Sequence, residues 1–183
     1  KLEETNEIPQ GILAGARSPK IDYAIDKALS LKEIGEKTLI WTNFVDNVRH
    51  VVTLCKAKGL NPQFIDGSVK IAKDEDDKKN NPNCREYKIN KFLNDEDSWV
   101  MVANPAAASE SISLHMKCRH AIYVDKTYNA GQYLQSRDRI HRLGLKKSDK
   151  VSFIEPYHPG TFDERIKDAL NDKIDIMEEI LND

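Results

Sequence analysis

Short, almost wholly apolar runs alternate along the chain with segments in which apolar residues recur every three or four positions. A short apolar run is typical of a strand buried on both faces, whereas the three-and-four spacing is typical of a helix with one apolar face. The alternation therefore predicts an α/β fold, in which a parallel sheet is covered by helices on both faces. The runs that predict strands are 38–42, 63–66, 99–103, 121–125 and 151–155.

The predicted helices have recognisable starts and stops. Ser18 is a favourable N-cap residue, Pro19 suits the first helical position, and Gly35 marks the end of the first helix. A second apolar helical face runs from Val45 to a stop at Gly59. Further helices are predicted at 87–93, at 132–143 and, as one or two tail helices, at 161–181.

The length of 183 residues is that of one domain with an added tail. Residues 1–17 have little periodicity and are interpreted as a lead-in segment, residues 18–160 as the core, and residues 161–183 as a helical tail. Residues 69–84 mix charges densely and present no apolar face, so this segment is predicted to be a flexible insertion. The alternative, that it is a contact loop for a partner, stays open.

Composition narrows the functional classes. The chain has 28 Lys and Arg against 30 Asp and Glu, a net charge of −2, so any basic surface must be local. No apolar run approaches the roughly 20 residues that span a bilayer, and no signal segment follows Lys1, so we expect a non-membrane piece of a longer polypeptide. Three cysteines without a CxxC pair favour a reducing, intracellular location, cytoplasmic or nucleoid/nuclear, and predict no metal site.

The most informative string is QSRDRIHRLG, which begins at Gln135. Arg139 and Arg142 are three positions apart on a predicted helix, and Gln135 lies one turn earlier on the same side. Two guanidinium groups that point the same way suit a polyphosphate, because each presents a planar fork of donors. The alternative is a solvated basic helix with Ile140 and Leu143 as its core contacts, and the spacing alone leaves both interpretations open.

This string resembles motif VI of superfamily 2 helicases, in the Gln-x-x-x-Arg-x-His-Arg-x-Gly form of the Swi/Snf-like DNA translocases. Other strings that resemble the same family follow in the same order from about residue 18 to the C-terminus. They are TLIWTNF at 38–44, similar to motif IV; FIDGSV at 64–69; Arg85, Ile89 and Phe92 in the next helix; ANPAAASESISLH at 103–115, in the place of motif V; Tyr128 and Asn129, in the place of Trp-Asn-Pro; and GTFDE at 160–164. The resemblance implies a second RecA-like lobe.

The resemblance also implies roles for individual residues. Arg139 and Arg142 are expected to be arginine fingers, the catalytic residues that this lobe contributes. The residues expected to bind ATP are Gln135, Ser111, Ser113 and His141. The residues expected to bind nucleic-acid phosphates are Thr42, Asn43, Gly67, Ser68 and Ser109.

The segment in the place of motif V departs from the family's Gly-x-Gly-x-Asn-Leu pattern. Ser109, Ser111 and Ser113 stand where the two glycines and the asparagine are usual. A serine hydroxyl can still donate to a phosphate or ribose oxygen, but a position that needs a positive φ would be strained. Two smaller departures are Leu145 for the usual Gln after motif VI and Ala130 for the usual Pro.

The sequence holds no Gly-x-x-x-x-Gly-Lys-Ser/Thr string and no Asp-Glu-x-His box. In motors that it resembles, an N-terminal RecA-like lobe of the same polypeptide supplies both, so ATP and Mg²⁺ are expected to be held mainly by that lobe. The expected function is the second motor lobe of an ATP-dependent DNA translocase, with RNA also possible as the nucleic acid, and the isolated chain is expected to be monomeric and inactive. The alternative is a degenerate lobe that acts as a non-enzymatic binding or regulatory module.

Overall fold

A computed structural model describes residues 18–108, 112–142, 145 and 149–182 of the chain. The strands are β1 Lys37–Trp41, β2 Gln63–Ile65, β3 Val100–Ala103, β4 Cys118–Tyr123 and β5 Ser152–Ile154. The helices in the described part are α1 Pro19–Glu33, α2 Val45–Ala57, α3 Glu75–Asn80, α4 Arg85–Asn94, α5 Ala130–Arg137 and α6 Phe162–Asn182. All strand pairs are parallel, in the order β2-β3-β1-β4-β5, which confirms the predicted α/β class and its RecA-like arrangement.

The strand order creates a crevice at the carboxyl ends of two central strands. From β1 the chain passes to β2 on one side of the sheet, whereas from β4 it passes to β5 on the other side. The loops after β1 and β4 therefore leave in opposite directions. In open α/β sheets, ligands bind outside the carboxyl ends of the strands at such a point. We call the set of loops that follow the strands the carboxyl edge.

The central strands are largely buried on both faces, which is why most of their residues are apolar, whereas the edge strand β5 is half-buried. Ile40 and Val102 are fully buried in a cluster with residues of α1 and α2. The alternate positions Leu39 and Met101 belong to a second cluster, on the other face, which includes Phe92 of α4. Successive strand residues point to opposite faces, so both sets must be apolar.

The helix α5 ends earlier than the sequence pattern predicts. Its last residue is Arg137, whereas the pattern predicts a helix to residue 143. Beyond the end, the Leu114 amide donates to the Arg139 carbonyl at 3.0 Å, and the Ile140 side chain is fully buried. The prediction that Arg139 and Arg142 share a helical face is therefore wrong, because tertiary contacts fold this segment into a turn.

The segment 69–84 has local order. Lys70 and Cys84 form an isolated parallel bridge across its ends. Between them, α3 begins after Asp74, whose side chain accepts a hydrogen bond from the Asp77 amide at 2.8 Å. No residue of α3 is buried. The flexibility of the insertion stays a prediction. The bridge between Lys70 and Cys84 holds the two ends of the insertion next to each other.

All three cysteines are free and buried. Burial raises the pKa of the Cys55 and Cys118 thiols to about 12. The Cys84 sulfur donates to the Asp77 carbonyl at 3.0 Å and accepts from the Tyr87 amide at 3.4 Å. Each thiol is thus part of the packed interior.

The C-terminal helix α6 packs on the core through its first half. Leu170 is buried, and the Asp163 carboxylate accepts a hydrogen bond from Lys20 Nζ of α1 at 2.8 Å. Among the described residues, no helix is both long enough and apolar enough to cross a membrane.

Candidate functional site

Asp125, two residues after the end of β4, organises the loop that follows β1. Its carboxylate accepts hydrogen bonds from the Thr42 hydroxyl and the Asn43 amide, each at 2.5 Å, and from Asn47 Nδ2 at 3.2 Å. Asn43 Nδ2 also donates to the Asp125 carbonyl at 3.0 Å. We call this arrangement the Asp125 clamp. Thr42 has no exposed surface, so its hydroxyl serves the clamp, whereas Asn43 is only half-buried.

The loop after β3 is tied to the same place. Asn104 Nδ2 donates to the Asn43 carbonyl at 2.6 Å. The Asn104 side-chain oxygen accepts from the amides of Ala106 and Ala107, at 2.9 and 3.3 Å. Arg85, at the start of α4, donates to the Ala107 carbonyl at 3.2 Å. The loops after β1 and β3 and the first turn of α4 are therefore one connected polar structure.

The loop after β2 is a tight turn built by Asp66. One oxygen of this buried carboxylate accepts from both the amide and the hydroxyl of Ser68, at 2.8 and 2.5 Å. The other oxygen is buried and lies 3.9 Å from Arg49 Nε. Gly67 and Ser68 themselves are exposed at the carboxyl edge. A side-chain carboxylate that bonds the amide two residues on is a common way to hold such a turn.

The segment in the place of motif V is described only in part. Ser109 and Ser111 lie outside the described residues. Ser113 lies between the buried residues Ile112 and Leu114, and its hydroxyl contacts Nδ1 of His115 at 2.9 Å. Because the neighbouring Leu114 bonds the Arg139 carbonyl, Ser113 lies near the turn that carries Arg139 and Arg142, which we call the arginine turn, and not at the carboxyl edge.

The crevice between the loops after β1 and β4 is small and polar. Its lining includes Asn43, Lys126, Gln132 and Tyr133, and its volume is only about 10 Å³, roughly that of one water molecule. Two of these side chains meet on Glu155, because Lys126 Nζ donates to it at 2.7 Å and the Tyr133 hydroxyl donates to it as well. Burial raises the pKa of Tyr133 above its ordinary value, so its phenol stays protonated.

The turn after α5 carries the two arginines at the far end of that helix from the carboxyl edge. The Leu114 amide fixes the Arg139 carbonyl, and the buried Ile140 side chain anchors the middle of the turn. Partial burial, together with the nearby charge of Arg142, lowers the pKa of the Arg139 guanidinium below its ordinary value. Gln135, His141 and Arg142 are exposed. The turn thus holds two cationic groups close together beside an exposed amide and imidazole.

The structure divides the predicted site residues into two groups. Thr42, Asn43, Gly67 and Ser68 lie on the carboxyl edge, whereas the arginine turn lies at the other end of α5. The residues that build the site but were not singled out by sequence are Asp66, Asn104 and Asp125. Asp66 and Asp125 are the last residues of predicted strands and Asn104 directly follows one, and a polar residue at the end of a parallel strand is the signal that could have identified them.

Comparison with known proteins identifies relatives of this arrangement. Residues 20–144 match the family described as helicase conserved C-terminal domain. The chain is 27% identical over 184 residues to an uncharacterized ATP-dependent helicase of Mycoplasma pneumoniae, covering 99% of this chain and 16% of that protein. It is 28% identical over 176 residues to the CHD3-type chromatin-remodeling factor CHR7 of Arabidopsis thaliana, covering 95% of this chain and 13% of the relative.

Two further comparisons agree with these. The lymphoid-specific helicase of Homo sapiens is 25% identical over 124 residues, which cover 67% of this chain and 13% of that protein. The crystal structure of the C-terminal part of the Fun30 ATPase domain has a similar fold, with a TM-score of 0.70 and 22% identity over 84% of this chain and 45% of that one. The chain therefore spans less than a fifth of the length of the curated relatives that it matches.

Proposed function

Since the chain belongs to the helicase conserved C-terminal domain family, as the C-terminal RecA-like lobe of a Swi/Snf-like superfamily 2 helicase, we propose that it is the second motor lobe of an ATP-dependent translocase that acts on DNA. In this proposal the lobe supplies Arg139 and Arg142 to the γ-phosphate of ATP and grips nucleic-acid phosphates at its carboxyl edge. The lobe is inactive without its N-terminal partner lobe.

The observation that carries the proposal is the pair of guanidinium groups on the turn after α5. Burial, followed by the nearby positive charge of Arg142, lowers the pKa of the Arg139 guanidinium. A polyphosphate between the two guanidinium groups would replace their mutual repulsion by attraction to both. The hydrogen bond from the Leu114 amide and the buried Ile140 side chain hold the turn in place. An arginine finger must be held in place before the reaction, because its contribution is the stabilisation of charge on the transferring phosphoryl group.

The nucleic-acid contact is assigned to the carboxyl edge. Gly67 and Ser68 are exposed at this edge. Because the Ser68 hydroxyl and amide already donate to Asp66, we assign the phosphate contact to the remaining exposed backbone of this turn. Asn43 is half-buried on the loop after β1, and Thr42 acts through the Asp125 clamp by holding that loop. Such contacts grip the backbone of DNA or RNA without distinguishing its sequence.

The N-terminal lobe of the parent is proposed to hold most of the nucleotide and the Mg²⁺. Among the described residues, there is no group of three or more His, Cys, Asp or Glu side chains that could hold a metal ion. In the proposed cycle, ATP draws the two lobes together, the arginine turn completes the site, and hydrolysis lets the lobes separate. Because the proposed cycle uses ATP and acts on DNA, we propose an intracellular location for the parent.

The test is nucleic-acid-stimulated ATP hydrolysis by the full-length parent. We expect Arg139→Ala or Arg142→Ala to lower turnover by about 10³- to 10⁵-fold, which corresponds to roughly 4 to 7 kcal/mol of barrier. Nucleotide binding should change much less, since the N-terminal lobe holds most of the nucleotide. Arg142→Lys should also fail, because a point charge does not replace a planar fork of donors.

The matched control is Arg165→Ala, which removes an exposed guanidinium from α6. This variant should keep normal turnover. If both finger variants behave like the control, the finger assignment is wrong and the lobe is a binding or regulatory module instead. Circular dichroism of each variant separates lost catalysis from lost folding.

A further inference from the structure

An open groove in the described part of the chain lies away from the candidate site, between the insertion helix α3 and α4. Its volume is about 410 Å³. Lys78 and Lys79 of α3 form one wall, and Tyr87 and Lys91 of α4 contribute to the other. We call it the insertion groove. It exists only because the segment 69–84 is present.

The contacts within the insertion hold the two lysines of α3 in place across from α4. The Arg85 amide donates to the Lys70 carbonyl at 2.8 Å, which closes the base of the insertion. The Cys84 sulfur bonds the last turn of α3 through the Asp77 carbonyl at 3.0 Å. The Ala72 amide donates to Glu86 of α4 at 2.8 Å. The two walls of the groove are therefore held together by the continuous backbone and by several hydrogen bonds.

The residues that line the groove carry more positive than negative charge, whereas the chain as a whole has a net charge of −2. Three lysines and one carboxylate, Asp95, line it. Asp95 is engaged elsewhere, because its side chain accepts from the Asp97 amide at 2.9 Å and its charge attracts Lys37. Lys78 is bonded to Glu75 on the exposed side of α3, and such an exposed pair is easily exchanged for a stronger anion.

Among the described residues, neither Lys79 nor Lys91 has a salt-bridge partner. The remaining lining residues Asn90 and Asn94 are exposed and uncharged. The groove thus offers ammonium groups and amides and, apart from the half-buried ring of Tyr87, no large apolar side chain. A folded protein partner usually needs an apolar anchor in such a place, whereas a phosphate backbone does not.

We propose that the insertion groove binds the phosphate backbone of a nucleic acid, as a second contact in addition to the carboxyl edge. The choice of a nucleic acid over another polyanion rests on the proposed function. The ten-residue helix α4 is about 15 Å long, which is the length of about four phosphate steps along one strand of duplex DNA. Arg85, at the start of α4, contacts the loop after β3, whereas the groove lies along the later residues of the same helix, so it is a contact separate from the carboxyl edge.

The experiment is a fluorescence anisotropy titration of labelled mixed-sequence duplex DNA with the 183-residue chain, between about 50 and 200 mM salt. Each lysine that contacts a phosphate should contribute about one unit to the slope of log K against log salt. Lys79→Ala with Lys91→Ala should therefore flatten the slope by about two. The loss of affinity across this fourfold range of salt should be about 16-fold smaller than in the unmodified chain.

The control is Lys58→Ala with Lys150→Ala, which changes the net charge equally at two exposed sites outside the groove. It should leave the slope unchanged, and Lys79→Arg with Lys91→Arg should preserve it too. If the groove and control variants have the same slope, the proposal is overturned. It is also overturned if poly-glutamate binds to the groove and DNA does not, since the partner would then be an acidic protein.

A further variant separates this proposal from the proposed function. Gly67→Asp places a negative charge on the carboxyl edge, where an added Cβ meets nothing within 4 Å. If Gly67→Asp weakens DNA binding and the groove variant does not, the groove proposal fails and the carboxyl-edge contact stands. If only the groove variant weakens binding, the groove stands and the carboxyl-edge assignment fails.

Discussion

At the scale of single residues, the Asp125 clamp joins parts of the chain that are far apart in sequence. The groups that donate to the carboxylate are 78 to 83 positions away from it. Hydrogen bonds to a charged acceptor contribute roughly 1.5 to 3 kcal/mol each, and a buried donor that is left without an acceptor costs a similar amount. The Thr42 hydroxyl is such a buried donor.

Asp125→Ala should therefore lower the free energy of unfolding by about 2 to 4 kcal/mol. Asp125→Asn should cost less, because one side-chain oxygen still accepts. Urea denaturation measures both changes as shifts of the midpoint at constant slope. The control Asp172→Ala, on the exposed face of α6, should stay within about 0.5 kcal/mol of the unmodified chain. An equally small effect of Asp125→Ala would show that the clamp does not hold the loop.

At the scale of elements, one ion pair joins the first helix to the last. Burial alone would raise the pKa of Asp163, but the hydrogen bond and charge of Lys20, together with the His158 amide, outweigh it and hold the pKa of this carboxyl below its usual range. A carboxyl with a lowered pKa stabilises the fold above its unfolded pKa of about 3.9. That stabilisation is lost as the pH falls through the pKa of the folded state.

Lys20→Ala should accordingly destabilise the chain by about 0.5 to 1 kcal/mol at neutral pH, since the pair is partly exposed. The difference between Lys20→Ala and the unmodified chain should shrink as the pH is lowered below about 4. Thermal unfolding at a series of pH values measures this difference, and Lys58→Ala is the control. A difference that is constant with pH would mean that the Lys20 stem acts by packing alone.

The same scale shows which elements could be predicted from sequence. The central strands are largely buried on both faces, so local composition is enough to identify them. The end of α5 is not a local property, because the Arg139 carbonyl bonds Leu114 and the Ile140 side chain enters the core. The Asp125 clamp could not be predicted for the same reason. Its three partners come from the loop and helix that follow another strand.

At the scale of the whole molecule, the lobe holds parts of a site rather than a complete one. Its sequence has no Gly-x-x-x-x-Gly-Lys-Ser/Thr string of a phosphate-binding loop. We therefore expect the isolated chain to be a monomer that releases no phosphate from ATP and Mg²⁺ above background, with or without DNA. Light scattering and a phosphate-release assay measure the two properties. Turnover that persists after repeated purification would contradict the division of labour proposed between the lobes.

The buried cysteines have a practical consequence for measuring the motion of this lobe. A thiol reacts as its thiolate, and with a pKa of about 12 only about one in 10⁵ of the Cys55 and Cys118 groups is ionised at pH 7. The Cys84 sulfur is enclosed between the insertion and α4. A maleimide dye would thus react first with a new cysteine placed on the surface. The distance between the two lobes of the parent could then be followed by energy transfer, with the native thiols of this lobe left in place.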